Sequence, residues 1–164
     1  MKNAAMQKIN EYLDQTGRLA FFAFRFFKQA FSRPFEFREF IRQCFLIGYH
    51  SLLLVALTGF IMGVVLDMQV RPTLIDFGAV SYMPALVGIS IVREIGPVVT
   101  ALICSGKIGS SIGAELGSMK VTEQIDAMEV SGTNPFKYLV VTRIWATTLM
   151  LPVLVVFSDA IGLW

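Results

Sequence analysis

The chain has 164 residues, of which 55% belong to the apolar set AVILMFWYC and 16% are charged, and its mean hydropathy is +0.64. A soluble domain carries about a quarter charged residues, so this composition excludes a disordered chain and favours a protein that folds in lipid. The formal net charge of +2 is too small to indicate a nucleic-acid partner, and two cysteines and one histidine exclude a disulfide framework and a Cys- or His-rich metal cluster.

The first 42 residues differ from the rest because they carry eight of the fourteen Lys and Arg residues. Apolar residues from Ile9 to Ala30 recur at helical spacing, and ten of the fourteen Phe lie between Phe21 and Phe45. Pro34 fits the first turn of a second short amphipathic helix. A basic, Phe-rich arm is typical of helices that lie in the bilayer interface, whereas the alternative is a soluble helix that packs on a protein partner.

Three apolar stretches follow, and each is long enough to cross a bilayer, for which about 20 residues suffice. Residues 43–66 contain no Asp, Glu, Lys or Arg, and a short polar break at 67–76 separates them from a second stretch at about 82–106. A charged segment at 107–143 precedes the third stretch, 144–164. The sequence therefore predicts an all-α polytopic membrane protein with interfacial N-terminal helices and three transmembrane helices.

The basic residues predict the orientation of these helices. The arm at 1–42 and the segment at 107–143 are rich in Lys and Arg, whereas the break at 67–76 contains a single Arg. The positive-inside rule places the first two in the cytoplasm and the break outside. The chain thus divides into an interfacial arm, 1–42, and a transmembrane region, 43–164, with a cytoplasmic N-terminus and no cleavable signal peptide.

Arg93 and Glu94 interrupt the second apolar stretch. A charge at the centre of a bilayer costs about 2.5–3.5 kcal/mol on insertion scales, so two such residues in one span indicate a polar cavity wall that meets a charged head group or an ion. Pro97, which follows Gly96, cannot donate to the carbonyl of Arg93, and this predicts a helix break at Gly96 and Pro97. The alternative is an ion pair between helices that only fixes packing.

Small residues recur at four-residue spacing, which lets another helix approach closely. The sequence predicts helix packing at Gly59, Gly63, Gly109, Gly113 and Gly117. The nearby run from Ser105 to Ile108 lacks the first Gly and the Ser/Thr of a phosphate-binding loop. We therefore expect no nucleotide or other cofactor in this chain.

The sequence predicts a short helix over residues 119–131 that ends before Gly132. Its acidic residues make it either a solvated loop or a lever that docks on a cytosolic partner.

Asp159, in the third span, either faces another helix or is close enough to the outer surface to be wet. Nothing in the sequence pairs a nucleophile with a base, which argues against an intramembrane enzyme.

Four runs taken together resemble the MlaE/YrbE family, the permeases of MCE-type ABC transporters for phospholipids. They are REIGPVV at 93–99, GKIGS at 106–110, AELGSM at 114–119 and EQIDAM at 123–128. The resemblance covers about residues 45–164, and the interfacial arm also fits the family.

The resemblance implies a homodimeric permease in the bacterial inner membrane that moves phospholipid to or from a periplasmic MCE-domain protein. ATP and Mg would bind a separate cytosolic ATPase. Arg93 and Glu94 match polar positions of the lipid cavity. The segment 115–131 matches the helix that couples to the ATPase, with Glu115, Glu123, Gln124, Asp126 and Glu129 as its contacts.

Family members have about two further spans, so we expect this chain to be a fragment or a truncated product. The alternative function, from another class, is a membrane scaffold or assembly protein that moves no lipid and uses the same small-residue strip and interfacial arm.

Overall fold

The computed structural model describes residues 2–30 and 36–164, with side chains from Leu13 onward in the first range. The regular structure in these ranges is helical. The helices are α1 (Lys2–Ala30), α2 (Phe37–Asp76), α3 (Met83–Ser90), α4 (Gly96–Val121), α5 (Gln124–Val130) and α6 (Thr142–Gly162), with a 3-10 turn at Val80–Tyr82 and π turns at Ile91–Ile95 and Lys137–Val141.

Three helical stretches are long and apolar enough to cross a membrane. They are Phe37–Asp76, Val80–Val121 and Lys137–Gly162. The second stretch is a continuous run of the 3-10 turn, α3, the first π turn and α4. These stretches confirm the prediction of an all-α polytopic membrane protein with three transmembrane helices.

The helix that contains the first predicted span is longer than that span at both ends. α2 runs from Phe37 to Asp76 without interruption, so it includes the expected second amphipathic helix and the polar break at 67–76. That break contains no glycine, and Pro72 removes only its own donor to the carbonyl of Met68 without ending the helix. The chain turns instead at Gly78, whose positive φ of 63° suits a residue without a Cβ.

The charged segment predicted as a loop at 107–143 is also largely helical. α4 continues to Val121, and the third stretch begins at Lys137 rather than at residue 144. Charged side chains do not end a helix, because they extend from its surface into water or the head-group layer. Gly132, with φ of 79°, lies where the sequence predicted the stop after α5.

α2 packs mainly against α6, through a stripe in which every fourth residue is buried. The stripe consists of Glu39, Gln43, Ile47, Ser51, Val55, Gly59 and Gly63. A Cβ at Gly59 would lie 2.7 Å from the carbonyl oxygen of Ser158, and one at Gly63 would overlap the carbonyl of Gly162. Both glycines therefore allow the backbones of α2 and α6 to approach, as predicted for helix packing.

α1 confirms the helix predicted in the arm, and it contacts the chain just before the third span. The ring of Phe22 meets the ring of Phe136 edge-on at 5.3 Å between centroids. The guanidinium of Arg25 lies 4.7 Å from the centroid of the same ring. Apolar side chains of α1, including Leu19 and Phe24, remain exposed, as lipid-facing residues would be. Pro34, the predicted start of a second short helix, lies outside the described residues.

Candidate functional site

Arg93 and Glu94 lie together in the π turn Ile91–Ile95, within the second membrane-spanning stretch. Both side chains are exposed, so they point away from the packed side of the helix, where Ile91 is buried. Among the described residues neither side chain makes an ion pair or a hydrogen bond. Two charged groups without partners at this depth form a polar surface on an otherwise apolar helix.

The helix does not break at Gly96 and Pro97, although its regular geometry changes there. The π turn ends at Ile95, the N–H of Gly96 donates to the carbonyl of Ile91, and α4 begins at Gly96. The wider turn places Pro97 in the first turn of α4, where a missing N–H is tolerated. The predicted irregularity is thus a π turn inside a continuous helical stretch, and this geometry sets the direction of Arg93 and Glu94.

Asp159 of α6 lies on the opposite, buried side of the same π turn. The residue is only 8% exposed, and its Oδ1 atom packs against Gly96, where a Cβ would overlap it. That oxygen has no hydrogen-bond partner in the part of the chain that the structure describes. The structure therefore resolves the two sequence alternatives for Asp159: it faces another helix rather than water. Gly96 is required here because only a glycine leaves room for the carboxyl group.

The predicted ATPase contacts separate into two groups. Glu123, Gln124, Asp126 and Glu129 are exposed at or within α5. Glu115 instead lies one to two turns before the end of α4, where its Oε2 accepts an ion-pair contact from Nη2 of Arg143 at 2.8 Å. The structure therefore brings four of the five residues together, whereas Glu115 lies half-exposed on α4 beside Arg143.

α5 stands apart from the membrane-spanning stretches as a short exposed helix. Glu123 precedes it with a left-handed backbone, φ 56°. The ammonium of Lys120 binds Asp126 at 3.1 Å across this corner. Val121 and Val130, at the two ends of the segment, are 85% and 90% exposed. The acidic side chains of α5 and the two flanking valines are thus open to solvent in the described part of the chain.

The predicted packing glycines also separate into two groups. Gly59 and Gly63 contact α6, as described above, whereas Cβ atoms at Gly109, Gly113 and Gly117 would have no neighbour within 4 Å. The small-residue strip on α4 is thus open in this chain.

Sequence reasoning missed a buried polar network near the start of α2. Oε2 of Glu39 accepts from the hydroxyl of Tyr138 at 2.9 Å and from Arg42 at 3.2 Å, and Oε1 accepts from Gln43 at 2.8 Å. This network joins the first and third spans. The only sequence signal was the i, i+4 spacing of Glu39 and Gln43, which does not identify Tyr138 as a partner.

Comparison with known proteins gives one family. The model of the family described as "Permease MlaE" matches residues 40–164. A Rickettsia felis "Probable ABC transporter permease protein" is 37% identical over 160 residues, which is 98% of this chain and 62% of the relative. The Haemophilus influenzae "Intermembrane phospholipid transport system permease protein MlaE" is 41% identical over 124 residues, 76% of this chain and 48% of the relative.

A Synechocystis "Probable ABC transporter permease protein" is 37% identical over 126 residues, which is 77% of this chain and 48% of that relative. The chain therefore spans about half to three-fifths of the length of the curated relatives described here. The family match covers the three membrane-spanning helices, the π turn and α5. This chain belongs to the MlaE permease family.

Proposed function

We propose that this chain forms the transmembrane permease part of an ABC transporter that moves phospholipid between the bacterial inner membrane and a periplasmic MCE-domain carrier. A separate cytosolic ATPase, which binds ATP and Mg, supplies the energy. The family match supports a transporter permease, and the name of the Haemophilus influenzae relative supports phospholipid as its substrate.

The observation that carries the proposal is the pair of charges on the π turn. Arg93 and Glu94 are exposed in a membrane-spanning helix and have no partner among the described residues. A charged side chain in hydrocarbon is costly unless it meets a polar group. A phospholipid head group offers such groups: its phosphate can bind a guanidinium, and the ammonium of a zwitterionic head group can pair with a carboxylate.

The remaining parts of the proposal follow from exposed surfaces. α5 gives the ATPase an acidic docking helix on the cytoplasmic side, where the N-terminus also lies. The open strip of Gly109, Gly113 and Gly117 gives a second copy of the chain a surface for close approach, which supports a homodimer. The MCE-domain protein would bind at the opposite end, near Gly78.

The test is lipid transfer by the chain reconstituted in proteoliposomes with its ATPase and MCE-domain partner. We expect the double variant Arg93→Ala and Glu94→Ala to lower ATP-dependent transfer of fluorescent phospholipid about tenfold or more, because each hydrogen bond to a charged group contributes about 1.5–3 kcal/mol. Arg18→Ala with Asp14→Ala, which removes an exposed pair on α1, should leave transfer unchanged.

The same experiment separates a permease from a scaffold. A scaffold would assemble with its partners and keep its function without the two charges. Normal lipid transfer by the Arg93 and Glu94 double variant, in an intact complex, would therefore refute the proposed role of the π turn.

A further inference from the structure

A groove of about 330 Å³ lies between α2 and α4, well away from the π turn. Seven of its lining residues are polar or charged, although the flanking helices are apolar. These seven are Arg42, Gln43, His50, Ser51, Lys107, Ser111 and Glu115. The groove therefore combines polar walls with a position inside the membrane-spanning helices.

Lys107 is the one side chain of this groove whose charge is not balanced within the described residues. Glu115 is paired with Arg143 at 2.8 Å, and Arg42 is paired with Glu39 at 3.2 Å. The half-buried ammonium of Lys107 makes no ion pair or hydrogen bond with any described side chain. An ionisable residue in a membrane span without a partner indicates a ligand.

The groove lies at the end of the hydrocarbon layer. The charge-free part of α2 begins at Gln43, and Lys107 ends the charge-free run 95–106 of α4. A lysine at this level extends its ammonium toward the head groups. Lys107 follows Arg93 by fourteen residues, about 21 Å along a helix, so the groove and the π turn are at different depths.

We propose that this groove binds the phosphate of an anionic phospholipid, with the ammonium of Lys107 as its main contact. The hydroxyls of Ser51 and Ser111 and the amide of Gln43 supply neutral polar groups beside it. Basic pockets between membrane helices commonly bind acidic head groups. The proposal is independent of transport, because it concerns a resident lipid at the α5 end of the bundle rather than the transported one.

The test uses the chain in nanodiscs of phosphatidylcholine with a minor fraction of phosphatidylglycerol. Electron paramagnetic resonance of spin-labelled phosphatidylglycerol and phosphatidylcholine measures the motionally restricted fraction of each. We expect wild type to favour phosphatidylglycerol, and Lys107→Gln to lower that selectivity about fivefold, the effect of one basic residue near the membrane surface. Lys107→Arg should retain it, which guards against a loss caused by misfolding.

Lys120→Gln is the matched control, because Lys120 lies on the same helix outside the groove and binds Asp126. Equal losses for Lys120→Gln and Lys107→Gln would overturn the proposal, since they would indicate general charge attraction. Unchanged selectivity in Lys107→Gln would also overturn it. Lys107-dependent binding of inorganic phosphate without selectivity for phosphatidylglycerol would identify a soluble anion as the ligand and exclude the lipid.

Discussion

Arg143 is the least exposed charged side chain among the described residues, at 2%. Its Nη2 atom binds Glu115, whereas its Nε and Nη1 atoms are buried without a hydrogen-bond partner. The guanidinium therefore depends on one carboxylate for compensation of its charge. Removal of one partner from a buried ion pair is costly because the other charge stays behind in a medium of low polarity.

Glu115→Gln should lower the free energy of unfolding by about 2 kcal/mol, less than for a fully buried pair because the Glu115 side chain is 37% exposed. Glutamine keeps the shape of the side chain but removes the charge that balances Arg143. The measurement is reversible unfolding of the chain in mixed micelles by titration with sodium dodecyl sulfate.

Asp14→Asn provides the comparison, because Asp14 and Arg18 form an ion pair of similar length, 2.9 Å, with both side chains exposed. Asp14→Asn should lower the free energy of unfolding by less than about 1 kcal/mol. Equal effects of the two variants would show that the Arg143 pair contributes no more than a surface pair.

Contacts between residues that are far apart in the chain could not be predicted from the sequence. In the sequence, Arg143 is one of several basic residues in a charged segment. Nothing in the sequence distinguishes Glu115 from an exposed acid. Only the packing of α4 against α6 brings them together. The same holds for Gly96 and Asp159, since the sequence identified each residue as unusual but not their contact.

At the scale of the element, α5 is the exposed acidic helix on which the proposed ATPase contact depends. The left-handed backbone of Glu123 separates the axis of α5 from that of α4, so that the acidic side chains stay exposed. Like charges brought together across an interface cost several kcal/mol. Charge reversal on α5 is therefore a sensitive test of docking.

Glu123→Lys with Glu129→Lys should weaken association with the ATPase at least about tenfold, measured by copurification and titration of the purified ATPase. Both residues are exposed, so the fold should be retained. Asp14→Lys, a charge reversal on α1, should leave association unchanged. If the ATPase binds normally to the double variant, α5 is not the docking helix.

The elements themselves were predictable from composition, because apolar runs of sufficient length leave a membrane chain little alternative to helices. The residues at which the helices end could not be predicted from composition. Asp67 and Arg71 indicated a loop, yet α2 continues past both to Asp76. A charge disfavours burial in hydrocarbon, but it does not disfavour helical backbone, so charge patterns locate the membrane boundary rather than the helix end.

At the scale of the whole molecule, the two predicted small-residue surfaces are covered to different extents. α2 has its glycine face covered by α6, whereas Cβ atoms on the α4 strip would meet no described residue within 4 Å. Four-residue spacing of small residues predicted that helices could approach at both places. The spacing does not predict which helix approaches. Among the described residues, Gly59 and Gly63 contact α6, whereas Gly109, Gly113 and Gly117 leave space for a Cβ.

The strip on α4 gives the final prediction. Gly113→Leu adds a bulky side chain where a Cβ has no neighbour within 4 Å, so the fold of the single chain should be retained. Close approach of a second copy across the strip would be blocked, because interfaces of this kind depend on small residues. We expect the variant to lose the proposed homodimer, measured by light scattering in detergent and by crosslinking in membranes. Ala160→Leu, the addition of the same side chain at an exposed position of α6, should preserve it. A Gly113→Leu variant that remains dimeric would place the contact between copies elsewhere, and the strip would then face lipid or another protein.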